Sequence, residues 1–514
     1  MSADPAARGA VALGLDLGTS SAKVCALDER GRLLGLQSEP YPSIVPQPAW
    51  AEQDPTLWLP AIGRACRRLM QACTLVPAQV RGLAISSAAH IGVMLDAAGQ
   101  PLRPALLWHD QRSQAESRRL ADEAGDKIFA IGNNWPTPTW TIAHLAWIRA
   151  HDAQAWSRMR HLLLSKDYLA YQLTGQIASD PAAAVSALLF DVHTGDWSQP
   201  LCELAGLDRS RLAPVLPVGA RIGSLLAEPA ALLGLATGTA VYNGTMDSTA
   251  ETLSAGVRTE GECVVRLASA GGIHGISSPA RVHPKLISYP YPVAPYWMSQ
   301  AGTNTCASAV AWACSLMTGG GTEGGTGGAT DRSDAPDFAA WSALAEQAPA
   351  GSNGLFFHPY LAGERCPYWD PQLRASFVGL GLHHRRSDLA RAVYEGTAYS
   401  LRDALSVMQG AGFRLGNVRL LGGGAKSRIW TEIVSAVLNT PVQAAPLADS
   451  SLGAALLAQV GMQVYRSSAD IPTDIASAKS RQFSPPAGLV EQYASGFERY
   501  SKIQQQLAGV YQAD

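Results

Sequence analysis

Near the start of the chain, Gly14-Leu15-Asp16-Leu17-Gly18-Thr19-Ser20-Ser21-Ala22-Lys23 gathers a carboxylate, glycines and hydroxyls within ten positions. The apolar run Val11-Ala12-Leu13 precedes it. The pattern predicts a strand, a tight turn and a second strand. Glycine lets backbone come close to a ligand. Thr19, Ser20 and the N–H groups of the turn can donate to phosphate oxygens. Asp16 would repel a phosphate, so it is better read as the holder of a bridging Mg²⁺. The combination suggests a chain that handles ATP, although ordinary hairpins carry similar turns.

A second chemical segment lies near the other end. Residues 418–421 form an apolar strand running into Gly422-Gly423-Gly424-Ala425-Lys426-Ser427, and a helical stripe of Ile429, Ile433, Val434 and Val437 follows. A helix start offers unpaired N–H groups, and the glycines leave room for a flat adenosine or a phosphate. Asp449-Ser450-Ser451-Leu452-Gly453-Ala454-Ala455 repeats the theme; there, close helix packing through small residues is the better reading. The glycine run at residues 319–328 lacks the Lys-Ser/Thr that closes a P-loop and reads as a surface loop.

The elements that must position these residues alternate. Residues 23–27 and 33–36 flank Asp28-Glu29-Arg30-Gly31 as a hairpin. Asp54-Pro55 reads as a helix N-cap followed by Pro, and Trp58, Ile62, Ala65, Leu69 and Cys73 recur at helical spacing. Residues 80–86 predict a buried strand, and 90–95 with 104–108 a second hairpin. An alanine-rich, helical middle spans 138–235. Residues 239–244 predict a strand running into Asp247-Ser248. From about Gly256 the opening pattern returns, with residues 261–267 as a strand and Ala268-Ser269-Ala270-Gly271-Gly272 as its turn. Two like halves facing each other would make a cleft. Ser387 is expected to cap a long helix carrying Leu389, Val393, Leu401 and Leu405.

At 514 residues the chain predicts two or more domains. Its 47% apolar and 16% charged content suits a well-buried enzyme. With a net charge of −2 and no basic run, neither nucleic acid nor an anionic membrane is an expected partner. No apolar stretch suggests a signal peptide or a membrane span. The eight cysteines form no C-x-x-C pair, which argues against zinc and fits a reduced, cytoplasmic protein.

Together these motifs resemble the FGGY family of carbohydrate kinases, and within it the xylulose kinases. The resemblance runs from Gly14 to about Val464. It includes Trp50-Ala51-Glu52-Gln53-Asp54-Pro55, Leu107-Trp108-His109-Asp110-Gln111-Arg112, Lys166-Asp167-Tyr168-Leu169 and Leu361-Ala362-Gly363-Glu364-Arg365. It implies an α/β fold of two actin-like, ribonuclease-H-like domains flanking a cleft. Residues 1–254 would mainly bind sugar and 255–514 mainly ATP. It implies phosphorylation of a sugar hydroxyl, most simply of a ketopentose such as D-xylulose, with ATP and Mg²⁺ as cofactors. Asp247 takes the place of the catalytic base and Asp16 that of the metal holder. Gly18, Thr19, Ser20 and Lys23 match the first phosphate loop, Ser269 and Gly271 the second, and Gly422, Gly423, Gly424 and Ala425 the adenosine segment. Trp50, Glu52, Gln53, His90, Trp108, Asp110, Arg112, Asp247 and Ser248 are the sugar-side candidates. Glu364 and Arg365 read as an opposite-charge pair pinning the region between the domains. Dimers are common in the family, which leaves a homodimer open.

Three segments depart from the xylulose-kinase pattern. Ala88-Ala89-His90-Ile91 stands for Gln-Met-His-Gly, Asp247-Ser248 for Asp-Asn, and Ala268-Ser269-Ala270-Gly271 for Gly-Thr-Ser-Gly. Lost amides alter which hydroxyl pattern is accepted, so ribulose, gluconate or erythritol are alternative substrates. Ala268 would be strained if its position needs positive φ, which raises a degenerate, sugar-binding sensor as another reading. An actin-like or chaperone-type ATPase would need an added interaction domain. Only a polar helix, residues 488–512, follows the ATP half.

Overall fold

The computed structural model describes residues 9–318, 336–476 and 482–511; the glycine run at 319–328 lies outside them. Each half is organised around one open, twisted sheet. The first contains β1 (Val11–Leu17), β2 (Ser21–Leu27), β3 (Leu33–Pro40), β4 (Val80–Ser87), β5 (Arg221–Ser224) and β6 (Ala240–Met246), in the order β5-β6-β4-β1-β2-β3. β1, β2 and β3 are antiparallel neighbours, whereas β4 is parallel to both β1 and β6. The second contains β7 (Cys263–Leu267), β8 (Gly271–Ser277), β9 (Ile287–Pro290), β10 (Trp297–Gly302), β11 (Val418–Leu421), β12 (Val442–Ala444) and β13 (Gln482–Phe483), in the order β9-β10-β8-β7-β11-β12-β13. β7 is antiparallel to β8 and parallel to β11, which is parallel to β12. The series β3-β2-β1-β4-β6 therefore recurs as β10-β8-β7-β11-β12. The weak internal repeat in the sequence is a full repeat of ribonuclease-H-like topology.

Helices cover the sheets. Asp54 accepts the Thr56 N–H at 2.9 Å and caps a short 3₁₀ turn, Pro55–Leu57, that leads into α1 (Trp58–Ala72). Trp58, Ile62, Ala65 and Leu69 are buried on one side of α1, as their spacing requires. α2 (Pro181–Ser186) and α3 (Asp247–Ser254) belong to the first half; α4 (Ala307–Thr318), α5 (Arg386–Gly410) and α6 (Arg428–Leu438) belong to the second. α7 (Ser450–Gly461) comes from the second half but lies across the first sheet. A Cβ on Gly14 would overlap the Ser451 carbonyl oxygen and sit 2.5 Å from the Ala455 nitrogen. A Cβ on Gly453 would overlap the Ala250 carbonyl of α3. Gly14 thus admits a helix rather than a ligand, and Gly453 serves the close packing expected of its segment. Ala12, Cys25, Leu452, Ala455, Val264 and Ile276 share one buried core across both halves.

Three expectations are corrected. The second hairpin does not form: Gly92–Leu95 pairs with His161–Leu164, and Ala105–Leu106 pairs with Glu52–Gln53. Its turn does exist, with Asp96 accepting the N–H groups of Ala98 and Gln100 at 2.9 Å each. Pro101 and Pro104 lack the donors a ladder would need beyond it, and one bridge, Leu95 to Pro101, remains. The helical middle is interrupted by His161–Leu164, by the hairpin Phe190–Asp191 with Asp196–Trp197, and by β5. The long helix begins at Arg386 rather than after Ser387. Asp388 turns back to accept the Arg385 N–H at 2.7 Å and closes that end.

Candidate active site

Parallel strands deliver their C-terminal ends to one edge, where open α/β sheets place ligands. Asp16 is the penultimate residue of β1 and stands in register with Ser86 of β4. The Ser86 hydroxyl donates to it at 2.7 Å. β6 ends at the same edge, and Asp247 is the first residue of the helix that follows. The two aspartates that the sequence separates by nearly the whole first half therefore meet at one edge. Asp16 is only 2% exposed. Burial, with Asp449 nearby and partly offset by Lys23, raises its carboxyl to about 7. Burial raises Asp247 to about 6, against the opposing pull of Arg266 and the Ser248 N–H that it accepts at 2.6 Å.

Four carboxylates gather here: Asp16, Asp247, Glu251 and Asp449. Two cations answer them. Lys23 pairs with Asp449 at 2.7 Å and Arg266 with Glu251 at 3.0 Å. Burial pushes Asp449 up, but Lys23 and the Ser451 hydroxyl and N–H together outweigh it and hold the group below the ordinary carboxylate range. Carboxylates outnumber cations here, an arrangement that suits a divalent cation. Among the described residues no three metal-ligating side chains converge. That donor set fits Mg²⁺, which takes one or two carboxylates and completes its shell with water and phosphate oxygens.

The first turn is held firmly in place. The Gly18 carbonyl accepts the Tyr41 hydroxyl, the Thr19 carbonyl accepts the Gln53 amide at 2.5 Å, and the Thr19 hydroxyl accepts the Trp108 indole N–H at 3.1 Å. Ser20 is exposed. Lys23 is engaged with Asp449, so its link to phosphate is indirect. The second turn rests on the start of α4: the Ser269 carbonyl accepts the Cys306 N–H at 2.9 Å and the Ala268 carbonyl the Ala307 N–H at 2.8 Å. Ala268 does not adopt positive φ, so the strain expected there is absent. Gly271 is packed so closely that a Cβ would lie 2.7 Å from the Thr303 hydroxyl.

The triple glycine divides its roles. Gly422 has φ +86° and faces the Leu267 carbonyl, 2.7 Å from where a Cβ would be. Gly424 is buried under the Trp430 ring. Gly423 alone of the three opens onto free space. Ala425 donates its N–H to the Gly422 carbonyl at 3.2 Å, and Ser427 caps α6.

The sugar-side candidates separate into three groups. Trp50, Glu52, Asp110 and Arg112 do converge, but on one another. Arg112 reaches Glu52 at 2.6 Å and Asp110 at 2.8 Å, and its guanidinium lies 3.8 Å from the Trp50 ring centre. Asp110 also accepts the Ala51 N–H at 2.6 Å. This buried network is a wall support. Gln53 and His90, also sugar-side candidates, have their polar atoms engaged inside the protein. The Gln53 amide nitrogen serves Thr19 and Ser43, and its oxygen accepts the Trp58 indole N–H at 3.2 Å. His90 donates from Nδ1 to the Ser186 carbonyl at 2.9 Å, and its Nε2 accepts the Tyr289 hydroxyl at 2.8 Å. Burial holds this ring near 3, hence neutral. Trp108, Asp247 and Ser248 form the third group, each partly exposed at the edge.

Tyr289, Arg266, Glu251 and Asp449 were not singled out as site residues from the sequence. No spacing marks Tyr289, which reaches the first half only through β9. Arg266 could have been found as the charged residue just before the second turn. Glu364 and Arg365 do not pair: the Glu364 Oε1 accepts the Asn304 and Arg365 N–H groups at 2.6 and 2.7 Å.

Two like halves, with an acidic edge on one and a small-residue turn on the other, define a two-domain kinase of the actin-like kind. Family models agree: residues 11–254 match the N-terminal domain, and 270–462 the C-terminal domain, of the FGGY family of carbohydrate kinases. The chain belongs to that family and is a carbohydrate kinase. It is 31% identical over 500 residues to a xylulose kinase of Escherichia coli, covering 96% of this chain and 99% of that one. It is 30% identical over 509 residues to one of Staphylococcus epidermidis, covering 97% of each. The crystal structure of a xylulose kinase from Rhodospirillum rubrum superposes with a TM-score of 0.87 at 28% identity, covering 98% of this chain and 99% of that one.

Proposed function

We propose that the protein transfers the γ-phosphoryl group of ATP to a hydroxyl of a ketopentose, D-xylulose being the first candidate. Residues 1–254 supply most of the sugar site and 255–514 most of the nucleotide site. The observation that carries this reading is the meeting of Asp16 and Asp247 at the strand ends, beside Arg266 and the second turn. Asp247 accepts the proton of the attacking hydroxyl late in the step, as the O–P bond forms. Its elevated carboxyl is a better base than an ordinary aspartate. Asp16 holds Mg²⁺, which neutralises phosphate charge when bound. The exposed Ser20 and Ser269, with the N–H groups of the two turns, embrace the phosphates, and the nucleoside lies over Gly423. The half-exposed Trp108 ring offers its face to the C–H side of the sugar. All eight cysteines are buried, as suits a reducing cytoplasm.

A coupled ADP-release assay over D-xylulose, L-xylulose, ribulose, gluconate, glycerol and erythritol tests the reading. Turnover is expected with one of the ketopentoses. A second substrate reading is favoured by one observation: both ring nitrogens of His90 are occupied, by Ser186 and Tyr289, so that ring reads no sugar hydroxyl here. Turnover with gluconate or erythritol alone would establish that alternative, and none with any compound would leave a sugar-binding sensor.

A further inference from the structure

Arg365 is a half-buried cation that the catalytic reading leaves without a task. Its backbone is pinned on all sides. The Cys366 N–H donates to the Gly302 carbonyl at 3.0 Å, the Glu364 N–H to the Asp370 carbonyl at 2.8 Å, and the Trp369 N–H to the Arg365 carbonyl at 2.6 Å. The side chain lies flat on Gly302, where a Cβ would be 2.9 Å from its guanidinium carbon. Nη2 donates to the Thr303 carbonyl at 2.8 Å. The guanidinium carbon stands 5.7 Å from the centre of the Trp108 ring. Nε is buried with no partner.

These contacts place the group between the two phosphate turns. Thr303 accepts the Gly271 N–H of the second turn at 3.2 Å, and Trp108 donates to Thr19 of the first. No ion pair among the described residues includes Arg365. Its neighbour Glu364 compensates it only in part, because burial raises that carboxyl to about 8. Glu364 attracts it somewhat more than the nearby Arg266 repels it. A guanidinium whose Nε is buried without a partner favours an oxyanion that completes the site. The rigid fork of a guanidinium matches two phosphate oxygens.

We infer that Arg365 binds the transferring phosphoryl group of a nucleoside triphosphate and is a catalytic residue supplied by the second half. This rests on the kinase reading above. The bond from the sugar oxygen to the γ-phosphorus forms as the bond to the β–γ bridging oxygen breaks. The hydroxyl proton goes to Asp247, and the leaving oxygen remains with ADP. Arg365 exchanges no proton; its N–H groups stabilise charge on the equatorial oxygens.

The test measures ATP and ADP affinity without sugar, by calorimetry, in native protein, Arg365→Gln and Arg365→Lys, alongside steady-state kinetics. ADP lacks the γ-phosphate, so Arg365→Gln is expected to keep native ADP affinity and lose the native preference for ATP by about tenfold. Its kcat is expected to fall on the order of 10³-fold with sugar KM little changed. Arg365→Lys, which keeps the charge, recovers part of both. Equal weakening toward ATP and ADP, or unchanged preference in either variant, overturns the inference. If the native protein binds ATP but phosphorylates no sugar, the substrate reading fails while the affinity comparison still decides Arg365. Native protein that bound neither nucleotide would remove both.

Discussion

Asp247 and Glu364 are both raised carboxylates, with opposite consequences for what is measured. Asp247 must be ionised to accept a proton, so kcat/KM is expected to rise through a limb near pH 6 and level off above it. Asp247→Asn should abolish that limb and lower turnover by at least about 10²-fold, the scale of general-base catalysis, while ATP affinity stays native. Glu364 acts on stability. Its folded-state value of about 8 lies above the ordinary value of 4.5, so the folded protein holds that proton more tightly than the unfolded chain. The associated stability is present at low pH and lost as pH rises from about 4.5 through about 8. Glu364→Gln keeps an oxygen for the Asn304 and Arg365 N–H groups. Its thermal midpoint should exceed that of the native protein at pH 9, with a flatter profile between pH 5 and 9.

The elements show which parts of the chain could be read in advance. Strand, turn and strand at Asp16 were legible because alternation, glycine and hydroxyls are local signals, and the same holds for the strand before Gly422. The pairing of residues 92–95 was not, because a turn fixes its own four or five residues and the partner strand comes from His161–Leu164. The carboxylates Asp16 and Asp247 were legible from their motifs. Tyr289 was not, since its position on β9 matters only once that strand docks on the first half. The glycines give an element-scale test. Gly422→Ala meets both positive φ and the Leu267 carbonyl and should destabilise by about 1–3 kcal/mol in urea titrations. Gly423→Ala, facing open space, should leave stability within about 0.5 kcal/mol but weaken nucleotide binding measured by calorimetry.

At the scale of the whole molecule, two of the contacts between the halves bear on their relative motion. On one side α3 and α7 cross at Gly453, with the Lys23–Asp449 pair beside them. On the other, β9 docks on the first half: Asn134 exchanges bonds with Ser288 at 2.8 and 2.9 Å, and Tyr289 meets His90. The first contact suits a hinge and the second a clasp. Tyr289→Phe strands the buried Nε2 of His90, at about 1–3 kcal/mol. The ligand-free variant should open, read as a larger radius of gyration in small-angle scattering; an unchanged value would show that the clasp does not hold the halves together. The hinge also bears on how the chain is made. Lys23 and Asp449 are 426 residues apart, and the α7 helix that covers Gly14 follows Asp449. During synthesis the face of β1 that receives α7 stays uncovered until nearly the whole polypeptide has left the ribosome. Residues 1–254 translated alone should therefore collect in the insoluble fraction, and adding the α7 segment in trans should return part of them to solution.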